Sequence, residues 1–153
     1  MPLLLAFAIG VVAGLRTVTA PAAVSWAARL GWLNVAPTGF AFLGYAYTPW
    51  IFTVLALLEF VGDQLPSTPS RKVPMQFGAR IVGGAFCGAA IGAAYGSLVP
   101  GLVAGAAGAV AGTLGGAAFR GRLAKALGSD TPAAFIEDAI AIGGALLVVV
   151  SLP

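Results

Sequence analysis

Charge is scarce in this chain, and histidine is missing altogether. Only 8% of the 153 residues are charged, and the single cysteine is Cys87. A soluble domain carries about 25% charged residues, so this sequence has too few to cover a soluble surface. One cysteine without histidine excludes an internal disulfide and a histidine–cysteine metal site. With no histidine base and no nucleophile or phosphate-binding motif, the sequence predicts a protein that is not an enzyme and needs no cofactor.

Apolar residues and regularly spaced glycines dominate instead. The chain is 59% hydrophobic, and glycine recurs at every fourth position, at Gly84, Gly88, Gly92 and Gly96 and again at Gly108, Gly112 and Gly116. An interior glycine costs a helix in water about 0.5–1 kcal/mol relative to alanine. In a bilayer the same spacing lets two backbones approach closely. We therefore predict an all-α, polytopic transmembrane helical bundle with a glycine-zipper centre, forming one integral membrane domain over 1–153. A glycine-lined pore is the alternative use of this pattern.

The sequence divides into apolar segments separated by polar or proline-containing stretches. Residues 31–47 are rich in aromatics and predict an interfacial loop or re-entrant piece. Pro100-Gly101 predicts a tight turn between the third and fourth segments. Each segment is close to the roughly 20 residues that a membrane span needs. The segments run over about Leu3–Leu30, Pro49–Leu65, Phe77–Leu98, Leu102–Phe119 and Pro132–Leu152.

The first segment decides the number of spans. Pro21 removes a backbone donor, so a break is predicted near Arg16–Pro21. If the segment crosses once, the bundle has about five spans and is expected in the cell inner (plasma) membrane. The positive-inside rule then places the basic loops and the N-terminus in the cytoplasm. If residues 3–30 form a re-entrant hairpin, four crossings remain and the N-terminus moves outside. The basic residues set this orientation, and they do not indicate nucleic-acid binding.

A weak internal repeat links the two halves of the chain. Ala13-Gly14 and Thr48-Pro49, followed by acids, correspond roughly to Ala111-Gly112 and Thr131-Pro132, also followed by acids. With the third segment between them, the halves would have opposite orientations, which is typical of inverted-topology transporters. Similar composition alone is the other explanation.

Arg16 is the most unusual residue, because it lies about 20 Å into the first apolar segment at the helical rise. A charge at that depth is costly and faces either a partner or a water-filled cavity. The break beside it would free backbone N–H groups near Thr17 and Thr19. Together with the guanidinium, these groups would favour an anion. The alternative is structural, with Arg16 tying helices together through carbonyls or a carboxylate.

Acidic residues form the second candidate site. Glu59 and Asp63 are four residues apart and share a helix face, while Glu137 and Asp138 lie near the start of the last segment, on the same predicted side. Together they would form a proton relay or a hard-cation site of unspecified metal. The alternative is that the acids suit a helix dipole or are neutralised by cations such as Arg80.

Several of these features resemble a known family. They are the Gly14-Leu15-Arg16-Thr17 turn followed by Pro21-Ala22, the Glu59-x-x-x-Asp63-x-x-Pro66 helix end, and the Pro69-Ser70-Arg71 loop leading to Arg80 and Gly83-Gly84. This pattern resembles a family of small bacterial multi-pass membrane proteins known mainly as a domain of unknown function. The resemblance covers nearly the whole chain and implies no substrate.

The first functional hypothesis is a small transporter or channel for a polar or anionic solute, coupled to protons or cations. Its partners would be the lipid bilayer, a small solute or ion, and a second copy in a homodimer. The second hypothesis is a structural or accessory membrane protein that binds a partner or lipid and has no pathway. The predicted solute-binding residues are Arg16, Thr17, Thr19, Glu59, Asp63, Arg80 and Glu137.

Overall fold

Helices account for nearly all of the regular structure. The computed structural model describes residues 2–35, 38–63, 74–128 and 130–152, and within them the chain forms six α-helices, a short 3-10 helix and no strand. The basic loop with Arg71 and Lys72 lies outside the described residues. The helices are α1 Pro2–Leu15, α2 Thr19–Arg29, α3 Thr48–Asp63, α4 Pro74–Ala94, α5 Leu98–Leu127 and α6 Asp130–Val150, with the 3-10 helix at Ala41–Gly44.

The predicted break divides the first segment into two antiparallel helices. α1 ends at Leu15, and α2 begins at Thr19 with Pro21 in its first turn, where the missing proline N–H costs no hydrogen bond. The start of α1 lies beside the end of α6, because Leu4 and Ser151 line one cavity. Trp32, just after α2, also lines a cavity with the end of α6. α2 therefore returns to the end of the bundle where α1 began, which agrees with the hairpin alternative rather than with one kinked span.

We call the end of the bundle at residues 16–18 the turn end, and the opposite end the terminal end. α3 runs toward the turn end, since Trp26 contacts Trp50 with ring centroids 5.1 Å apart, while Glu59 reaches Thr17. α4 and α6 run away from the turn end, and α5 runs toward it.

Glycine allows three helix backbones to come into contact at the centre. A Cβ atom at Gly88 would collide with the Gly101 carbonyl oxygen, and one at Gly84 would lie 2.7 Å from the Gly105 carbonyl oxygen, so α4 and α5 pack backbone to backbone and antiparallel. On another face of α5, Gly108 and Gly112 pack against α1 in the same way. The close approach that the sequence pattern predicts thus occurs within a single chain.

The direction of α1 relative to α5 contradicts the predicted inverted repeat. Gly10 packs against Gly105, and Gly14 packs against Ala109 and Thr113, so residue numbers rise in the same direction along both helices. An inverted repeat would require these two helices to run in opposite directions. α5 is also continuous where α1 breaks. The sequence correspondence therefore reflects composition.

Helix α5 is longer than predicted at both ends. Pro100 and Gly101 lie inside its first turns, and the turn before it is made at Gly96, whose φ of +77° suits glycine. Its C-terminus also extends past the predicted boundary at Phe119 to Leu127, where Gly128 ends the helix with φ +73°. The cations that were predicted to close this segment are therefore helical: Arg120, Arg122 and Lys125.

Large apolar side chains face outward on several helices. Two helical stretches, Phe77–Ala94 and Leu98–Leu127, are long and apolar enough to cross a membrane. α3 packs chiefly on α2 and leaves much of its surface uncovered, with Trp50, Leu58 and Val61 each at least 60% exposed. A buried core of α1, α2, α4 and α6 residues, including Ile9, lies behind this apolar exterior.

Candidate functional site

Arg16 lies at the centre of a charged cluster at the turn end. Its side chain is fully buried, with 0% exposed. Its Nε donates to Asp138 Oδ1 at 2.5 Å, and its Nη1 donates to Glu137 Oε1 at 2.6 Å. A further ion pair joins Nη2 to Asp138. The planar, five-donor guanidinium can bind two adjacent carboxylates at once, so α6 holds Arg16 through consecutive residues.

The same guanidinium, together with Arg80, binds the end of α1. The last carbonyl groups of a helix have no partner within it and carry partial negative charge. Arg16 Nη1 donates to the Leu15 carbonyl oxygen at 3.1 Å, and Arg80 Nη1 donates to the Gly14 carbonyl oxygen at 2.9 Å. Arg80 is itself only 3% exposed. Two cations therefore satisfy the carbonyl groups that the α1–α2 break leaves open.

Glu59 binds the other side of the break. Its Oε2 accepts from the Thr17 backbone N–H at 2.8 Å, and its Oε1 accepts from the Val18 N–H at 3.0 Å. Val18 is the N-cap residue of α2 and has no side chain able to cap it. A carboxylate from α3 supplies the cap and complements the positive end of the α2 dipole. The freed N–H groups predicted near Thr17 do bind an anion, and that anion is Glu59.

Charged side chains of both signs meet in this cluster. Arg120 Nη1 lies 4.0 Å from Glu137 Oε1, which brings a third cation to the site. The cations are Arg16, Arg80 and Arg120, and the anions are Glu59, Glu137 and Asp138. Buried charges are costly unless they are paired and hydrogen-bonded. Among the described residues, each of these charged side chains thus lies close to a group of opposite charge or to a backbone group that it can bind.

The remaining predicted residues have more limited roles. Thr17 contributes through its backbone N–H. Thr19 is 7% exposed, and its Oγ1 forms no hydrogen bond with the described residues. Asp63 is the last residue of α3, and its side chain lies outside the described part of the structure. Within that part, no three acidic or cysteine side chains come together in a way that could hold a metal.

Sequence reasoning missed Thr113. Its side chain is fully buried against the end of α1, with Oγ1 3.5 Å from the Gly14 carbonyl oxygen. Thr113 is the one polar side chain between Gly101 and Phe119, and this signal was present in the sequence. The sequence could not show which helix Thr113 contacts, because that depends on how the helices pack.

Two of the cavities that described residues line lie beside α6. One lies between α1 and α6 and has a volume of about 470 Å³, with a lining that extends from Leu4 to Leu15 on α1. The other has a volume of about 320 Å³ and lies at the terminal end beside Trp32. Neither lining includes a charged residue of the cluster.

Comparison with known proteins identifies a family but no curated relative. No curated protein and no solved structure matches the chain significantly. Residues 3–153 match the family described as Domain of unknown function (DUF4126). This match covers nearly the whole sequence, including every residue of the charged cluster, and the chain therefore belongs to the DUF4126 family.

Proposed function

We propose that this protein is a multi-pass membrane protein with a structural or accessory role, in which the charged cluster holds the α1–α2 hairpin in the bundle. The observation that carries this proposal is the environment of Arg16. Its fully buried guanidinium is bound by Glu137, by Asp138 and by the Leu15 carbonyl group. A cation whose donors are taken up by its own protein is a connector between helices.

The apolar exterior supports a membrane location with several crossings. Side chains such as Val61, Val103 and Leu147 are each at least 59% exposed, and water would disfavour so much uncovered apolar surface. In a bilayer the same surface contacts acyl chains without this cost. Because α1 and α2 are short, each extends only part of the way through the bilayer, beside the longer helices.

The charge distribution supports an orientation with the turn end in the cytoplasm. Arg122 and Lys125 are exposed there on α5, and the sequence adds Arg71 and Lys72 to the loop between α3 and α4. The positive-inside rule assigns such an end to the cytoplasmic face of an inner membrane. Because α1 begins and α6 ends at the terminal end, both chain termini then lie outside. This differs from the cytoplasmic N-terminus that five spans imply.

Ion flux tests the accessory role directly. Purified protein in vesicles should conduct protons and chloride no faster than protein-free vesicles, measured with a trapped pH dye and a chloride dye under a potassium diffusion potential. Glu59→Gln and Glu137→Gln should leave that baseline unchanged. Flux above the baseline that falls in either variant would overturn the proposal.

A transporter or channel for a polar or anionic solute is the second candidate function. Ionisable residues inside a membrane bundle often mark pathways for ions or protons, and the buried Thr19 hydroxyl lies in the first turn of α2 beside the cluster. Arg16→Ala would then abolish flux while the protein still inserts. A transporter of this size would be expected to form a homodimer, because one small bundle has few helices to line a pathway. Its interface would have to avoid Gly88 and Gly105, which pack inside one chain.

A further inference from the structure

One hydroxyl group at the turn end has no partner among the described residues. Thr19, the first residue of α2, is only 7% exposed, and its Oγ1 forms no hydrogen bond with them. Ala20 and Pro21, which follow it, are buried as well. The large majority of buried side-chain polar atoms are hydrogen-bonded, either to protein or to an internal water molecule. The environment of Thr19 therefore indicates a bound ligand.

The carboxylate of Glu59 lies beside this hydroxyl. Its Oε1 accepts the N–H of Val18, the residue directly before Thr19, at 3.0 Å. A carboxylate oxygen can accept more than one hydrogen bond, so Oε1 has capacity for another donor. Thr19 Oγ1 does not bond to it directly, and water commonly bridges polar groups that lie beyond direct reach. Glu59 is only half-buried, so a small molecule can approach from its side of the turn.

The charges around Thr19 select a neutral ligand. An anion would be repelled by the carboxylate of Glu59, which already occupies the α2 N-terminus. A cation would be repelled by the positive end of the α2 dipole. Water carries no charge, can donate to the carboxylate, and can either donate to or accept from a hydroxyl group. Water therefore meets each requirement of the site.

The depth of the turn strengthens this argument. Gly14, at the end of α1, packs against Thr113, and Arg120, the first cation of α5, lies about 10 Å farther along that helix at the helical rise. In the proposed membrane location the turn thus lies inside the apolar layer, where lipid supplies no hydrogen-bond partner. Only the protein or an internal water molecule could then satisfy the hydroxyl group.

We propose that the turn between α1 and α2 binds a water molecule, which donates to Glu59 Oε1 and is hydrogen-bonded to the hydroxyl group of Thr19. This water joins α3 to the first turn of α2, beside the two direct bonds that Glu59 makes. The site follows from the contacts of the turn, and only its depth rests on the proposed membrane location. It requires no solute pathway.

Water-edited solid-state NMR of the whole protein in lipid vesicles tests the site directly. Magnetisation from water should reach the Thr19 signals early. Ser25 is the matched control, because it lies on the same helix, is 0% exposed, and donates to the Leu43 carbonyl oxygen at 2.6 Å. Its signals should build up slowly. Equally slow build-up at Thr19 and Ser25 would overturn the proposal.

Thermal unfolding in detergent gives a second test, because the sign of one change separates the two cases. Thr19→Val removes the hydroxyl group and keeps the size of the side chain. If water binds the hydroxyl, the variant should unfold about 2–4 °C lower. If the hydroxyl has no partner, removing it should raise the unfolding temperature. A Thr19→Val protein that unfolds at or above the parent temperature would therefore refute the bound water.

A double-mutant comparison tests the bridge to Glu59. In a Glu59→Ala background the loss caused by Thr19→Val should shrink, whereas Ser25→Ala should cost the same in both backgrounds. An equal loss from Thr19→Val in both would overturn the bridge, and stabilisation by sodium chloride over choline chloride would overturn the neutral ligand. Release of the protein from cell membranes by alkaline carbonate would instead refute the membrane location, so the failures are distinguishable.

Discussion

The carboxylate of Glu59 accepts the backbone N–H of Thr17 at 2.8 Å, although 42 positions separate the two residues in the chain. This bond brings a side chain from α3 to the first turn of α2 and holds the hairpin turn from outside. Arg16 and Arg80 bind the opposite side of the same turn. A break in a membrane helix is tolerated when other groups satisfy its backbone, and here Glu59 of α3, Arg80 of α4 and Arg16 of the turn itself contribute.

Removing the acceptor should loosen the hairpin. Glu59→Ala leaves the N–H groups of Thr17 and Val18 without their cap, and hydrogen bonds to a charged group contribute about 1.5–3 kcal/mol each. We expect thermal unfolding in detergent to show a loss of about 2–4 kcal/mol in the free energy of unfolding. Glu59→Gln keeps one acceptor oxygen and should lose less. Equal stability of Glu59→Ala and the parent would contradict the cap.

Removing the cation of the central ion pairs should destabilise the protein more than removing the cation and one of its acidic partners together. Arg16→Met leaves Glu137 and Asp138 buried without their main partner, which typically costs about 3–5 kcal/mol. The double variant Arg16→Met/Asp138→Leu removes one charge of each sign, and Glu137 keeps Arg120 nearby. Thermal unfolding in detergent, without chemical denaturant, should therefore show that the double variant recovers more than half of the unfolding free energy that Arg16→Met loses. If the double variant is the less stable of the two, the cluster does not act as a compensated unit.

The glycine contacts predict opposite effects for the same substitution in one helix. Gly88→Ala places a methyl group against the Gly101 carbonyl group, and overpacking of this kind costs about 1–3 kcal/mol. At Gly78, also in α4, a Cβ atom meets nothing within 4 Å. Gly78→Ala should therefore gain about 0.5–1 kcal/mol from helix propensity. Unfolding temperatures of both variants check this, and a stable Gly88→Ala protein would refute the backbone contact.

Labelling of one introduced cysteine at a time should show that the terminal end of the bundle lies outside the cell and the turn end inside. The native Cys87 is 0% exposed and should not react with a membrane-impermeant maleimide in intact cells. In that background Tyr47→Cys, near the terminal end, should react from outside, whereas Arg122→Cys should react only after the membrane is opened. Labelling of Arg122→Cys in intact cells would reverse the proposed orientation.

Much of the helical pattern could be predicted from the sequence. Regular glycines, scarce charge and a proline after Arg16 are local signals, and the break, the apolar helices and the close-packed centre follow from them. Two predicted boundaries of α5 were wrong. Pro100 lies in the first turns of the helix, where a proline needs no donor. The cations after Phe119 are helical, because Gly128 ends the helix later.

The sequence by itself determined that Arg16 and the acids are unusual, because their cost in an apolar segment can be read from composition alone. Only the tertiary structure decided which groups meet. It placed Glu137 and Asp138 on Arg16, Glu59 on the α2 N-terminus, and α1 parallel to α5. Such pairings depend on the directions in which helices pack, and helices distant in the sequence leave no local signal of that direction. In this structure these charges connect α3, α4 and α6 to the turn between α1 and α2.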